Sequence, residues 1–261
     1  MDSTADILQA PWLRTCEDTL REYFDLSADA VLLDSPTRLP ALTPIIADHF
    51  RSVNLEWHLI PSARVVPFDN RYCRRLYPTA RTSFHSGLSD GHTVRDRLAL
   101  GHRMHQGRIV AVESTMKPGY LPDIQQIYGS KYGFETDADP LIRYLDHTSL
   151  GGTSRYGHKF LALGGFVEAL TEEWRRLALL PDGYRVTLCP PVLFNLIGTV
   201  FHPEWSQTAS LEIGFYWESP GSARCYAVGP NGDGDFSYVR AIETGFDWRL
   251  LGFRIAVVPE C

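Results

Sequence analysis

The chain has 261 residues, 44% of them hydrophobic and 12% aromatic, with a formal charge of −6. That content supplies a packed core in one large domain or two modest ones, and it excludes a disordered chain. The acidic balance argues against a general nucleic-acid binder, and no apolar run approaches membrane-spanning length.

The polar start, Met1-Asp-Ser-Thr-Ala-Asp, lacks a basic region followed by an apolar one, which predicts a cytoplasmic protein. Cys16, Cys73, Cys189, Cys225 and Cys261 are scattered, odd in number and form no CxxC, so neither a disulfide framework nor a thiolate zinc site is expected. Arginine outnumbers lysine 22 to 3. A GC-rich genome explains that bias and points to a high-GC bacterium as the source.

Trp12, Leu13, Cys16, Leu20, Tyr23 and Phe24 predict an amphipathic helix over residues 10–25. Leu42–Val53 predicts a second, with Ile45, Ile46 and Phe50 on one face. Trp57–Ile60 and Ala63–Phe68 read as strands, each flanked by proline. Between Arg64 and Arg108 nine arginines face only Asp69, Asp90 and Asp96, with Tyr72, Tyr77 and Phe84 interleaved. Arginine grips phosphate, sulfate and carboxylate with paired hydrogen bonds, so this segment is a candidate anion contact, Arg81 in particular. Pairing with carboxylates elsewhere in the fold is the alternative for most of them.

His92–Gln106 has helical spacing and Gly107 closes it, after which Arg108-Ile-Val-Ala-Val-Glu-Ser-Thr reads as a buried strand. His102 and His105 share a helix face, yet a third ligand and an HExxH are missing, so no metal is expected. Glu113 ends the buried strand. A carboxylate there is costly unless it is paired or kept protonated, which makes Glu113 either a general base or a member of a salt bridge. Tyrosines and glutamines at 120–134 resemble the lining of a pocket.

The densest polar run is Asp146-His-Thr-Ser-Leu-Gly-Gly-Thr-Ser-Arg-Tyr-Gly-His-Lys159. It leads directly into the apolar, helix-like run Phe160–Leu180. A glycine-rich turn feeding a helix aims backbone N–H groups at the positive end of the helix dipole, which suits an anion. Gly151, Gly152, Thr153, Ser154, Arg155, Tyr156 and Lys159 are accordingly expected to bind substrate. Among the expected catalytic residues His147 or His158 would move a proton, with Asp146 orienting one imidazole or Glu113 serving as base. An ordinary polar loop, capped by Thr153 or Ser154, is the competing account.

Tyr184–Leu188 predicts a strand, Pro190-Pro191 opens a helix through Phe201, and His202-Pro203-Glu204-Trp205 reads as a loop. Ser210–Glu218, Arg224–Val228, Phe236–Ala241 and Leu250–Val258 predict further strands, able to form an antiparallel sheet. Gly151–Gly157 is neither a P-loop nor a dinucleotide fingerprint, and no G-x-S-x-G is present. Pro181-Asp-Gly-Tyr-Arg and Leu251-Gly-Phe-Arg-Ile-Ala resemble pieces of the formylglycine-generating, C-type-lectin-like fold. The tryptophan-rich and Gly-Gly-Ser-Trp elements expected between them are absent, so no family follows.

The expected architecture is α+β, with N-terminal helices and mixed strands followed by a mostly antiparallel C-terminal sheet packed against helices. One domain spans 1–261, with a subdivision open near 150. The expected function is a cytoplasmic bacterial biosynthetic enzyme, of lyase or transferase type, acting on a small anionic metabolite without a cofactor. No membrane and no nucleic acid is expected as a partner, and a homo- or hetero-oligomer is left open. The alternative is a binding or assembly protein that offers its C-terminal sheet to a partner.

Overall fold

The structure, a computed structural model, describes residues 11–34, 48, 50–66, 105–114, 160–176, 180, 182–207, 212–219, 222–229, 238–241 and 252–260. Of 160–166, 206–207, 212–219, 222–229, 238–241 and 252–253 it describes the backbone alone. In chain order the elements are α1 (Pro11–Phe24), β1 (Leu55–Ile60), β2 (Arg108–Glu113), α2 (Phe160–Arg176), β3 (Tyr184–Leu188) and α3 (Pro191–Val200). A 3-10 turn (Pro203–Gln207) follows, then β4 (Glu212–Ser219), β5 (Ser222–Gly229), β6 (Tyr238–Ala241), β7 (Gly252–Phe253) and β8 (Ile255–Pro259).

The fold is α+β. One four-stranded sheet has the order β1-β2-β8-β3 with every neighbour antiparallel. A second has the order β6-β5-β4-β7, antiparallel except where β7 runs parallel to β4. The expected single strand over Leu250–Val258 is therefore two strands. The chain leaves the second sheet after Phe253 and enters the first at Ile255, with Arg254 at the crossing.

β2 lies between β1 and β8, and Ile109, Val110, Ala111 and Val112 are all buried. A strand covered on both faces needs apolar side chains at both parities, which is the pattern the sequence shows there. On one face the main core joins Val110, Val112, Ala256 and Val258 of the sheet to α1 and α3. α1 contributes Leu13, Cys16, Leu20 and Phe24, spaced to lie on one side of a helix. α3 is buried from Pro191 through Gly198, and its sequence is apolar there except for Asn195. On the other face Phe50 lies against both Trp57 and Trp174, with ring centroids 5.5 and 6.0 Å away, and Trp57 meets Tyr184 edge-on.

Turn chemistry sets the boundaries. Gly107, at φ 63, ends the helical segment that contains His105 and starts β2. Residues 63–66 are a turn and not the strand that the apolar pattern predicts. The Ser62 carbonyl accepts the N–H groups of Val65 and Val66, and its hydroxyl accepts that of Arg64. A serine after a proline satisfies the backbone locally, so the segment needs no partner strand. No helix among the described residues is long and apolar enough to cross a membrane.

Candidate functional site

The side chains that converge come from two places far apart in the chain. β1 alternates, so Glu56 and His58 project from the same sheet face as their cross-strand neighbours Val112 and Val110. His202 comes from the end of α3. Phe201 caps that helix, and the N–H groups of Phe201 and His202 both reach the Ile197 carbonyl. Pro203 cannot continue the ladder and disfavours a helical residue before it, so the chain turns sharply. The 3-10 turn then brings Glu204 and Trp205 back beside His202.

His202 is held at both ring nitrogens. Its Nε2 lies 3.0 Å from Glu56 Oε2 and its Nδ1 lies 2.8 Å from Glu204 Oε1. Only the doubly protonated ring can donate to both carboxylates. Burial pulls the imidazole down, but the hydrogen bonds and charges of Glu56 and Glu204 together outweigh it and raise the pKa above the ordinary histidine value. The end of α3 adds the negative pole of its helix dipole. Glu56 responds in the opposite sense. Its bond to His202, helped by Ser114, holds the carboxyl down at about 2 even though partial burial works the other way. Ser114 Oγ donates to Glu56 Oε1 over 2.6 Å, and its backbone N–H anchors on the Asn54 carbonyl.

His58 is different. It is 3% exposed, and neither ring nitrogen has a hydrogen-bond partner among the described residues. Its Nε2 lies 4.0 Å from Glu56 Oε2, and its ring meets that of His202 edge-on at 5.6 Å and that of Phe201 at 5.0 Å. Burial, with the positive charge of His202 next, pulls its pKa down to about 3, so the ring is neutral. Glu56, His58 and His202 each offer a ligand atom, and these atoms lie within 4.8 Å of one another.

Behind the site, Trp205 stacks on His202 with centroids 4.7 Å apart. The buried Arg254 guanidinium lies 3.8 Å from the Trp205 ring and donates to the Glu113 carbonyl. Glu113 itself is fully buried, and its carboxylate accepts the Ile255 N–H at 3.4 Å. It belongs to the opposite parity of β2 from Val112, and thus to the sheet face away from Glu56 and His58. The expected proton-moving group at the end of β2 is Glu113, while the residue that joins the cluster there is its neighbour Ser114.

His147, His158, Asp146, Gly151, Gly152, Thr153, Ser154, Arg155, Tyr156, Lys159 and Arg81 lie outside the described residues, as does His102. His105 is buried at the start of the turn before β2. The cluster of Glu56, His58, His202, Glu204 and Ser114 is absent from the sequence-level expectation. Its only local signals are Glu-x-His on a strand and His-x-Glu after a helix. No known protein family, curated protein or solved structure matches the chain.

Proposed function

We propose that the chain is a cytoplasmic bacterial enzyme of lyase or transferase type. It acts on a small anionic metabolite by acid/base chemistry, with the Glu56–His202 pair moving the proton. The observation that carries this is the imidazole of His202, 14% exposed and fixed between two carboxylates. A general acid needs a defined ring orientation and a pKa tuned by its neighbours, and His202 has both. The anionic character of the substrate rests on the composition of 146–159 and on the arginines between 64 and 108.

The test begins with a library of small phosphorylated, sulfated and carboxylated metabolites, screened by thermal shift and then for turnover. A substrate found this way should lose about 10²–10⁴-fold in kcat with His202→Gln, the range for a positioned acid or base. The melting temperature should change little. Turnover that survives His202→Gln would remove the pair from the mechanism. Loss of turnover in His158→Ala or Arg155→Ala, with the fold intact, would bring the polar run at 146–159 into the same site.

A further inference from the structure

We infer that Glu56, His58 and His202 form a binding site for one divalent transition-metal ion of the zinc class. Two imidazoles and a carboxylate are a ligand set that such ions favour. Three protein ligands leave a coordination position open for water or a small anion, the arrangement of catalytic rather than structural sites.

The strongest observation is His58. Neither nitrogen of this buried imidazole has a hydrogen-bond partner among the described residues, so its desolvation goes uncompensated. Proteins rarely leave such a group inside without a use for its lone pair. His58 faces the cluster, with Nε2 at 4.0 Å from Glu56 Oε2, too far for a hydrogen bond. The pair Glu56 Oε2 and His202 Nε2 is 3.0 Å apart. Ligand atoms about 2.0–2.1 Å from a tetrahedral zinc ion sit roughly 3.3 Å from one another. The two separations bracket that value and all three ligand atoms lie within 4.8 Å of one another, so closing the site requires side-chain rotation that draws His58 inward.

The surrounding groups have the second-shell pattern such a site needs. Glu204 accepts from Nδ1 of His202, which fixes the tautomer and leaves Nε2 for the ion. Ser114 occupies Oε1 of Glu56, so Oε2 is the oxygen that faces the two imidazoles. Trp205 stacks on His202 and limits its rotation. Glu56 is half-exposed, so an ion can reach the cluster from solvent, while His58 closes the inner side. The C-terminal end of α3 contributes negative potential, which suits a cation.

This inference goes beyond the catalytic proposal and does not need it, because ion binding is read directly. The full chain, stripped with a chelator and dialysed, would be titrated with zinc chloride against a chromophoric competitor. Zinc-edge absorption spectra would be collected on the loaded protein. One ion per chain is expected, with two imidazoles in its first shell. His58→Phe, Glu56→Gln and His202→Gln should each weaken binding by at least about tenfold, and Glu204→Gln by a similar factor through the second shell. Circular dichroism and melting curves would confirm that each variant is folded. If His58→Phe does not fold, the half-exposed Glu56→Gln and the spectrum of the wild type decide. Affinity retained by any folded variant of the three ligands would overturn the site. So would a wild-type spectrum without two imidazoles, or no binding at all.

Discussion

The imidazole of His202 lies parallel to the indole of Trp205, with centroids 4.7 Å apart and planes 5° from parallel. The indole also carries the Arg254 guanidinium at 3.8 Å and packs on Phe194. Trp205 therefore couples the β7–β8 crossing to the candidate site, through these ring contacts and through its backbone N–H, which donates to the His202 carbonyl. Trp205→Ala should cost about 3–5 kcal/mol of stability, as large buried aromatics do. Trp205→Phe keeps a flat ring and should cost clearly less. Urea melts compare them directly. Because the stacked ring holds His202 in place, the zinc affinity of a folded Trp205→Phe protein should fall by a few fold and no more.

Acid sensitivity of the metal-free protein follows from His58 and Glu56. The folded-state pKa of His58 is depressed to about 3, so its contribution is complete above the ordinary histidine value of 6.5 and is lost as pH falls toward 3. Glu56, depressed from 4.5 to about 2, contributes above 4.5 and loses that contribution between the two values. His202 has the opposite sign. Its raised pKa stabilises the fold fully below 6.5, and the gain disappears as pH rises through its folded value. Chelator-treated His58→Phe should thus show a flatter decline in unfolding free energy between pH 6.5 and 3 than the wild type. Equal slopes would mean that His58 does not stay neutral in the folded state.

Gly107 is at φ 63, and a Cβ added there would run into the Asp34 side chain. Asp34 is tied locally, since its carboxylate accepts from Ser62 Oγ and its N–H donates to the Gly107 carbonyl. Gly107→Ala should cost at least about 1–2 kcal/mol from the left-handed backbone alone, before Asp34 has to move. Gly183, also in the left-handed region at φ 77, has open space where a Cβ would stand. Gly183→Ala should therefore be the milder of the two. Paired denaturant melts check the order.

An ion at Glu56, His58 and His202 would occupy the place of the proton that Glu56 and His202 share. Metal loading and proton transfer by this pair are then exclusive. For any substrate turned over by the acid/base route, saturating zinc should suppress the reaction and a chelator should restore it. The reverse order, in which the chelator abolishes turnover and zinc restores it, would reject the pair as the proton carrier.

The elements with strong local patterns were legible in the sequence. α1, β2, β3 and α3 begin and end within about two residues of where periodicity, Gly107 and Pro190-Pro191 place them. The turn at 63–66 was not legible, because its apolar residues resemble a strand while Ser62 captures the backbone. The break at Arg254 was hidden in a continuous apolar run. The candidate site was the least legible part. Glu56 and His202 are 146 positions apart, and only the pairing of β1 with β2 and the packing of α3 bring them together. A polar residue on a strand carries no label saying which distant side chain it will meet. The dense run at 146–159 drew attention through composition, which concentrates chemistry along the chain but says nothing about convergence in space.

β8 occupies an interior position of its sheet, between β2 and β3, although it is the last strand in the described sequence. During synthesis on the ribosome, β2 must wait through some 141 residues, the separation of Glu113 from Arg254, before its second neighbour exists. Until then β2 and β3 are two unpaired edges carrying apolar side chains, the kind of surface that seeks other chains. Closing so long a loop is slow. The interval before β8 docks should accordingly be the stage at which a nascent chain depends most on chaperones. A stop codon before Ile255 would extend that stage indefinitely.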